Sequence, residues 1–330
     1  MSVLSEIKDK AKAKKRRVVL PEGTEPRMIR ATKKILSEGI ASVTLLGDQQ
    51  EIEKLAKEHG LSLGKVEVID PSHSGDYNDY VSEFMTMRQA RGITEEQART
   101  IMSSPMYFGA MLVRHDKADA SVAGSVNTTG NVLRAGIQVL GLKEGIRTVS
   151  SCFLMTVPKY REVLDKVFFF ADCAVVPNPN AEQLASIAVS TAETMQNLVG
   201  EEPKVALLSF STKGSASHED VDKVLKALEI LKTDHPELKV DGEFQVDAAI
   251  VPEVAKQKAP DSDIAGEANV LIFPDLDAGN IAYKLTERLA KATATGPIIQ
   301  GLSKPANDLS RGCSVDDIVD VTAIAVLMKG

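Results

Sequence analysis

The feature that most constrains the fold is a regular alternation between short β-branched runs and amphipathic helical segments. The runs Arg17–Leu20, Val43–Leu46 and Val66–Ile69 have the length and composition of buried strands. Helical segments separate them, and Gly39 and Gly60 stand where glycines commonly end helices. A strand–helix–strand order joins neighbouring strands in parallel. The chain is therefore predicted to have an α/β fold.

The alternation continues to the C-terminus and predicts more strands than one sheet would hold. Further strands are predicted at Ala118–Ala123, Thr148–Met155, Val167–Val176, Val205–Phe210, Val270–Phe273 and Ile298–Gly301, and further helices at Asn131–Leu140, Ala181–Leu198, Ile281–Ala292 and Asp316–Met328. A chain of 330 residues also exceeds the length at which a single core normally stops growing. We expect two α/β domains, with a boundary near residue 150.

Charge and composition exclude several classes of function. The net charge of -7 provides no general basic field for nucleic acid. The apolar run Val167–Ala171 is far too short to cross a bilayer, and the lysine-rich segment Met1–Arg17 lacks the apolar core of a secretory signal. Cys152, Cys173 and Cys313 form no C-x-x-C pair, which fits a reducing compartment. We expect a cytoplasmic protein that binds neither nucleic acid nor membranes.

Several common catalytic motifs are absent. The chain contains no G-x-G-x-x-G fingerprint, no G-x-x-x-x-G-K-[ST] phosphate loop, no H-E-x-x-H and no G-x-S-x-G. The five histidines are scattered along the sequence, which argues against a histidine-based triad. The spacing of cysteines, histidines and carboxylates predicts no metal site.

One candidate anion-binding loop is Gly124–Gly130, between a predicted strand and a predicted helix. Main-chain N–H groups and small hydroxyls at a helix N-terminus bind anions. The candidate binding residues are Ser125, Asn127, Thr128 and Thr129 in the loop, with Arg134 about one turn into the helix. The alternative is an ordinary turn from a strand to a helix.

The segment Lys304–Asp317 concentrates polar and charged groups between a predicted strand and the last helix. Arg311 offers a planar guanidinium, which suits phosphate. Ser314 and Asp317 also form a capping-box pattern, in which the aspartate at the third helical position bonds back to the N-cap. A binding loop and a structural helix cap therefore both remain open for this segment.

Three further segments contain candidate binding residues, but each has an equally good or better structural explanation. Ser209–Ser215 follows a predicted strand, and its residues Lys213 and Gly214 are candidate anion contacts; a polar loop at a helix start is the alternative. Arg88 is another candidate, although a single arginine on a helix is commonly just solvated. Asp275 and Asp277 could bind a metal, but residues such as Asp277 or Asn280 more often cap the next helix.

Four segments together resemble the phosphate acetyltransferases. KPANDLSRGCSVDD (Lys304–Asp317) is similar to the C-terminal signature of that family, and VAGSVNTTGNVLRAG (Val122–Gly136), SFSTKGSA (Ser209–Ala216) and FPDLDAGNIAYK (Phe273–Lys284) are similar to other parts of it. The resemblance covers essentially the whole chain and is to the short form, without an N-terminal regulatory region. It implies reversible transfer of an acetyl group between coenzyme A and inorganic phosphate.

The resemblance also implies an architecture and an assembly. Residues 1–149 with 299–330 would form one α/β domain and residues 150–298 a second, with the active site in the cleft between them. The fold would resemble that of isocitrate and isopropylmalate dehydrogenases, and the protein would be a homodimer. Coenzyme A and acetyl-CoA, phosphate and acetyl phosphate would be substrates, and no cofactor would be required.

Residue roles follow from the same resemblance. Asp317 matches the base that takes the proton of the thiol, and Ser310 and Arg311 match residues that hold the reacting acyl and phosphate groups. Arg88 and Arg134 match arginines that bind substrate. The CoA thiol is expected to attack acetyl phosphate directly in a ternary complex, without an enzyme thiol. Cys313 is therefore expected to be a small buried residue.

Three alternative functions are compatible with parts of the sequence. A phosphate butyryltransferase would run the same chemistry with a wider acyl pocket. A metal-dependent decarboxylating dehydrogenase would need a cluster of aspartates, for which Asp275 and Asp277 are the only tempting pair. A binding or scaffold protein on the same fold would not need Ser310, Arg311 and Asp317 together.

Overall fold

The structure is a computed structural model that describes residues 2–329. The chain forms two compact units, one made of residues 4–143 and 302–329 and the other of residues 144–301 together with residues 2–3. Each unit contains a sheet with helices, so the predicted fold class of two α/β units is confirmed. The domain limits expected from the sequence, 149/150 and 298/299, stay a prediction.

The N-terminal part of the chain alternates helices and strands as expected. Its elements are α1 (Val3–Lys14), β1 (Arg17–Leu20), α2 (Pro26–Glu38), β2 (Ser42–Leu46), α3 (Gln49–His59), β3 (Val66–Ile69), α4 (Tyr77–Arg88), α5 (Glu95–Met102), α6 (Pro105–Arg114), β4 (Ala120–Ala123) and α7 (Thr129–Val139). Helices α2 and α3 end at Gly39 and Gly60, both left-handed, where a glycine avoids steric strain.

Residues 144–301 form the second unit. Its elements are β5 (Ser150–Tyr160), β6 (Val163–Ala171), α8 (Ala181–Leu198), β7 (Val205–Leu208), α9 (Glu219–Asp234), β8 (Val240–Phe244), α10 (Val246–Ile250), α11 (Pro252–Lys258), β9 (Val270–Ile272), α12 (Leu276–Leu289) and β10 (Thr293–Gln300). The strand order is β10-β5-β6-β9-β7-β8, with β10, β5 and β6 antiparallel and the rest parallel.

The antiparallel hairpin of β5 and β6 was not expected from the sequence. Its two-residue turn is Arg161-Glu162, whereas the pairs that usually indicate such a hairpin are Asn-Gly and Asp-Gly. The strand β8 was also missed. Helix α12 begins at Leu276, five residues before the predicted start at Ile281, because Asp275 caps it.

The chain then returns to the first unit with β11 (Ala306–Asp308) and α13 (Val315–Met328). The strand order there is β11-β4-β1-β2-β3, and every neighbouring pair is parallel. Strand β11 was missed because three residues, two of them polar, carry no strand periodicity. Helix α13 is buried on most of its surface and packs on α2 and β4.

The parallel order of this sheet determines where its loops meet. The carboxyl ends of β1, β4 and β11 lie at one edge, on three adjacent strands. The connections that leave them begin at Pro21, Gly124 and Leu309, so the two candidate loops 124–130 and 309–314 are neighbours. No helix in the described part of the chain combines the length and apolar character that a bilayer crossing requires.

Candidate active site

The loop after β4 is organised around a carboxylate that the sequence did not single out. Glu22, in the connection after β1, is 7% exposed. Its Oε2 accepts hydrogen bonds from Gly124 N, Ser125 N and Ser125 Oγ at 2.9, 2.7 and 2.6 Å. Its Oε1 accepts from Val126 N, Asn127 N and Asn127 Nδ2 at 3.1, 2.8 and 2.9 Å. Four successive main-chain N–H groups thus enclose an anion that belongs to the protein itself.

This arrangement changes the interpretation of the loop. Burial alone would raise the pKa of Glu22, but the hydrogen bonds from Ser125 and Asn127 outweigh it and hold the pKa below its ordinary value. The loop therefore binds a carboxylate of the protein itself. In the structure, however, the donors of Ser125 and Asn127 are directed at Glu22, and their direct contact with substrate stays a prediction.

Thr128 and Thr129 have different roles in the same loop. Thr128 is the N-cap of α7, where its side chain accepts from Asn131 N at 3.3 Å. Thr129 Oγ1 donates to Asp308 Oδ2 at 2.5 Å, which ties the loop to the end of β11. Both threonines are therefore bound within the protein, and any contact with substrate would be additional.

Asp308 is a buried carboxyl group with incomplete hydrogen bonding. It is 1% exposed, and its Oδ1 has no hydrogen-bond partner. Burial raises the pKa of Asp308 to about 6, although hydrogen bonds from Thr129 and the Leu309 main chain favour the charged form. Gly124, at φ 115°, approaches so closely that an added Cβ would lie 2.4 Å from Asp308 Oδ1. Only glycine fits at this contact.

The predicted catalytic residues are all exposed: Ser310 and Arg311 lie on the connection from β11 to α13, and Asp317 lies in the first turn of α13. Ser310 Oγ accepts from Gly312 N at 3.3 Å. Ser314 Oγ accepts from Asp317 N at 3.1 Å, and Asp317 Oδ2 accepts from Ser314 N at 2.8 Å. The predicted capping box is confirmed, and the proposed role of Asp317 as a base has to coexist with it.

Cys313, in the same connection, is 6% exposed, which confirms the prediction of a small buried residue. Burial raises the pKa of its thiol, and the charge of Arg27 only partly offsets this. A thiol with a raised pKa is a poor nucleophile at neutral pH.

Arg88 and Arg134 act on a common neighbour. Burial raises the pKa of the Tyr107 hydroxyl, while the positive charges of Arg134 and Arg88 both lower it. Arg134 is exposed in the middle of α7 and donates a long hydrogen bond to Asn131 Oδ1 at 3.4 Å. Arg88 ends α4 and lines a surface depression of about 800 Å³ together with Arg91. Arg88 and Arg91 thus line one depression, and substrate binding by Arg88 and Arg134 stays a prediction.

Lys213 and Gly214 lie in the unit of residues 144–301 and are engaged by acidic side chains of that unit. Lys213 Nζ forms an ion pair with Asp241 at 2.6 Å and donates to Gly242 O at 2.8 Å. Gly214 N donates to Glu243 Oε1 at 2.9 Å, and Glu243 is 1% exposed. As in the loop after β4, a buried glutamate occupies donors that looked available from sequence. Substrate binding by these two residues stays a prediction.

Asp275 and Asp277 belong to the start of α12. Asp275 is its N-cap and accepts from Ala278 N at 2.8 Å. The expectation that Asp277 or Asn280 would be the cap was therefore wrong by two or more residues. Within residues 2–329, no three histidine, cysteine or acidic side chains cluster closely enough to hold a metal ion.

An α/β fold with an exposed serine, arginine and aspartate at the carboxyl edge of a parallel sheet is typical of an enzyme that acts on anionic substrates. The family described as phosphate acetyl/butaryl transferase matches the chain over residues 2–326. A phosphate acetyltransferase of Thermoanaerobacterium thermosaccharolyticum is 53% identical over 98% of both chains. The chain therefore belongs to the phosphate acetyl/butaryl transferase family, and it is a transferase.

Solved structures agree with this assignment. A phosphotransacetylase from Streptococcus pyogenes has a TM-score of 0.94 and 40% identity, covering 99% of this chain and 98% of the other. A proposed 4-hydroxythreonine-4-phosphate dehydrogenase from Salmonella typhimurium has a TM-score of 0.55 at 12% identity, covering 95% of this chain and 99% of the other. The latter likeness concerns the fold alone, and it agrees with the predicted resemblance to a dehydrogenase fold.

Proposed function

We propose that this chain transfers an acetyl group reversibly between coenzyme A and inorganic phosphate. The observation that carries the proposal is the whole-length likeness to a phosphate acetyltransferase at 53% identity. The exposed Ser310 and Arg311, with Asp317 in the first turn of the helix that follows, support it, since they supply a hydroxyl, a guanidinium and a carboxylate to an incoming substrate.

The proposed mechanism is direct attack of the CoA thiol on acetyl phosphate in a ternary complex. The thiol proton passes to Asp317, sulfur bonds to the acetyl carbon, and the carbon–oxygen bond to phosphate breaks to release phosphate. A thiol of pKa ~8.5 is only a few per cent ionised at neutral pH, so a base assists the attack. An ordinary aspartate is the weaker base by roughly 4–5 pKa units. Because Asp317 is exposed in the structure, we expect bound CoA to exclude water from it.

Ser310 and Arg311 are proposed to stabilise the charge that develops in the reaction. The carbonyl oxygen becomes negative in the tetrahedral transition state, and a preorganised donor there is worth about 2–4 kcal/mol. A guanidinium also matches phosphate geometrically, which favours its departure without proton donation. Arg88 and Arg134 are proposed to bind the anionic groups of coenzyme A.

The test is a phosphate-dependent thioester assay. The purified chain is incubated with acetyl-, propionyl- and butyryl-CoA, with and without phosphate, and loss of thioester is followed together with formation of the acyl phosphate. We expect acetyl-CoA to react with the highest kcat/KM and to require phosphate. Loss of thioester without phosphate would indicate hydrolysis instead, and a preference for butyryl-CoA would reassign the acyl group.

A further inference from the structure

The side chain of Arg27 joins the two loops of the candidate active site. Arg27 lies in the first turn of α2, and its Nη1 donates to Arg311 O at 2.8 Å and to Cys313 O at 2.9 Å. Its Nη2 donates to Ser125 O at 2.8 Å. One guanidinium therefore binds main-chain carbonyls from the loops after β4 and β11, and these acceptors lie 98 to 286 residues away in sequence.

A second contact fixes the direction of this guanidinium. Arg27 Nε forms an ion pair with Glu25 Oε1 at 2.6 Å, and both side chains are about three-quarters or more buried, at 23% and 21% exposure. Glu25 is also the N-cap of α2. Glu25 thus fixes the Nε side of the planar guanidinium, and both terminal nitrogens of Arg27 are directed at the two loops.

We propose that Arg27 is a positioning residue for acetyl transfer, which sets the backbone on both sides of Gly312 and so directs Ser310 and Arg311 toward substrate. The inference rests on the proposed function. The main-chain carbonyl of Arg311 accepts a hydrogen bond from Arg27. The guanidinium of Arg27 therefore restrains the peptide group between Arg311 and Gly312.

This positioning is needed because the reacting side chains have little packing of their own. Ser310 and Arg311 are exposed on a short connection between β11 and α13. Main-chain hydrogen bonds are therefore a main restraint on where they point. Displacement of a reacting group by about 1 Å can cost on the order of 10²-fold in rate.

The test compares Arg27→Gln with Arg30→Gln, which removes an exposed arginine from the same helix. We expect Arg27→Gln to lower kcat by about 10²-fold, with the KM for acetyl-CoA changed far less, and Arg30→Gln to match the wild type. Hydrogen exchange of the peptide spanning residues 309–314 should be faster in Arg27→Gln only. Wild-type kcat or unchanged exchange in a folded Arg27→Gln protein overturns the proposal.

A double-mutant cycle with Arg311→Lys separates positioning from general damage. If Arg27 acts through Arg311, adding Arg27→Gln to Arg311→Lys should lower kcat much less than it does alone. If the fold-losses in kcat of the two single variants multiply in the double variant, the proposal is overturned. If Arg27→Gln does not fold, Arg27→Lys takes its place under the same criteria, and failure of both to fold would assign Arg27 a purely structural role. Inactivity of the wild type would refute the proposed function, while the exchange measurement would still test Arg27.

Discussion

Glu22 accepts hydrogen bonds from both the main-chain N–H and the hydroxyl of Ser125, at 2.7 and 2.6 Å, through a single carboxylate oxygen. The two residues are 103 positions apart, on connections that leave adjacent parallel strands. The loop Gly124–Gly130 has the composition of a phosphate site, but its donors bind the carboxylate of Glu22. This restraint acts on the loop next to the one that carries Ser310 and Arg311.

The first prediction concerns Glu22→Gln. Each carboxylate oxygen accepts three hydrogen bonds. An amide can accept on one side only, so its NH₂ group must face three donors on the other. We expect the free energy of unfolding at neutral pH to fall by about 2–4 kcal/mol, measured by denaturant titration. The exposed Glu58→Gln should stay within about 0.5 kcal/mol of the wild type.

The loss should also depend on pH. Since the folded state lowers the pKa of Glu22, its stabilisation is present above the ordinary pKa of 4.5 and disappears as the pH falls through the lowered value. The difference between Glu22→Gln and the wild type should therefore shrink in acid. A difference that is constant with pH would contradict this assignment of the charge.

The second prediction concerns Asp308, which titrates in the opposite sense. Its pKa is about 6 in the folded protein, against an ordinary 3.8, so the folded state retains the proton longer than the unfolded state. The stabilisation is present below 3.8 and is lost as the pH rises through about 6. We expect Asp308→Asn, which cannot ionise, to gain about 2–3 kcal/mol relative to the wild type between pH ~4 and pH ~7.

The measurement is the unfolding free energy of both proteins across this range. Exposed Asp261→Asn serves as the control, for which no such pH-dependent gain is expected. If the Asp308→Asn difference is flat across the range, folding does not raise the pKa of Asp308, and the prediction is wrong.

The third prediction separates the two roles of Asp317. Asparagine can still accept from Ser314 N, so Asp317→Asn should lower stability by less than ~1 kcal/mol. It cannot take a proton, so kcat for CoA acetylation should fall by about 10²–10⁴-fold, with partial recovery at higher pH as more thiolate forms. Asp316→Asn, which breaks only an exposed pair with Lys34, is the matched control. A stable Asp317→Asn enzyme with normal kcat would eliminate the base role.

The fourth prediction concerns Cys313→Ala. Direct transfer needs no enzyme thiol, and burial raises the pKa of Cys313, so the variant should retain most of the kcat. Removal of the buried sulfur should cost on the order of 1 kcal/mol in stability, as thermal melting would report. An acetyl thioester trapped on Cys313, detected by mass spectrometry, would instead establish a covalent pathway.

Local patterns in the sequence were sufficient for much of the fold and part of the site. The strand Arg17–Leu20, the helix Ala181–Leu198 and the capping box of Ser314 and Asp317 were predicted with the limits that the structure has. Each of these depends on residues within one element or one turn, where periodicity and capping chemistry are local. The resemblance carried by Lys304–Asp317 identified the family for the same reason, because its motif is contiguous.

Tertiary structure alone decided which groups the site residues meet. Glu22 lies in the connection between β1 and α2, and Arg27 lies in the first turn of α2. Their partners Ser125 and Arg311 lie 103 and 284 residues away. No periodicity links such pairs. They meet because the parallel order β11-β4-β1 places the connections that leave these three strands at one edge of the sheet. That order follows from the packing of whole helices and strands. The sequence by itself therefore determined which loops have the residue types of anion-binding loops, and only the folded arrangement of the strands determined that Glu22 and Glu243 engage donors of two of them.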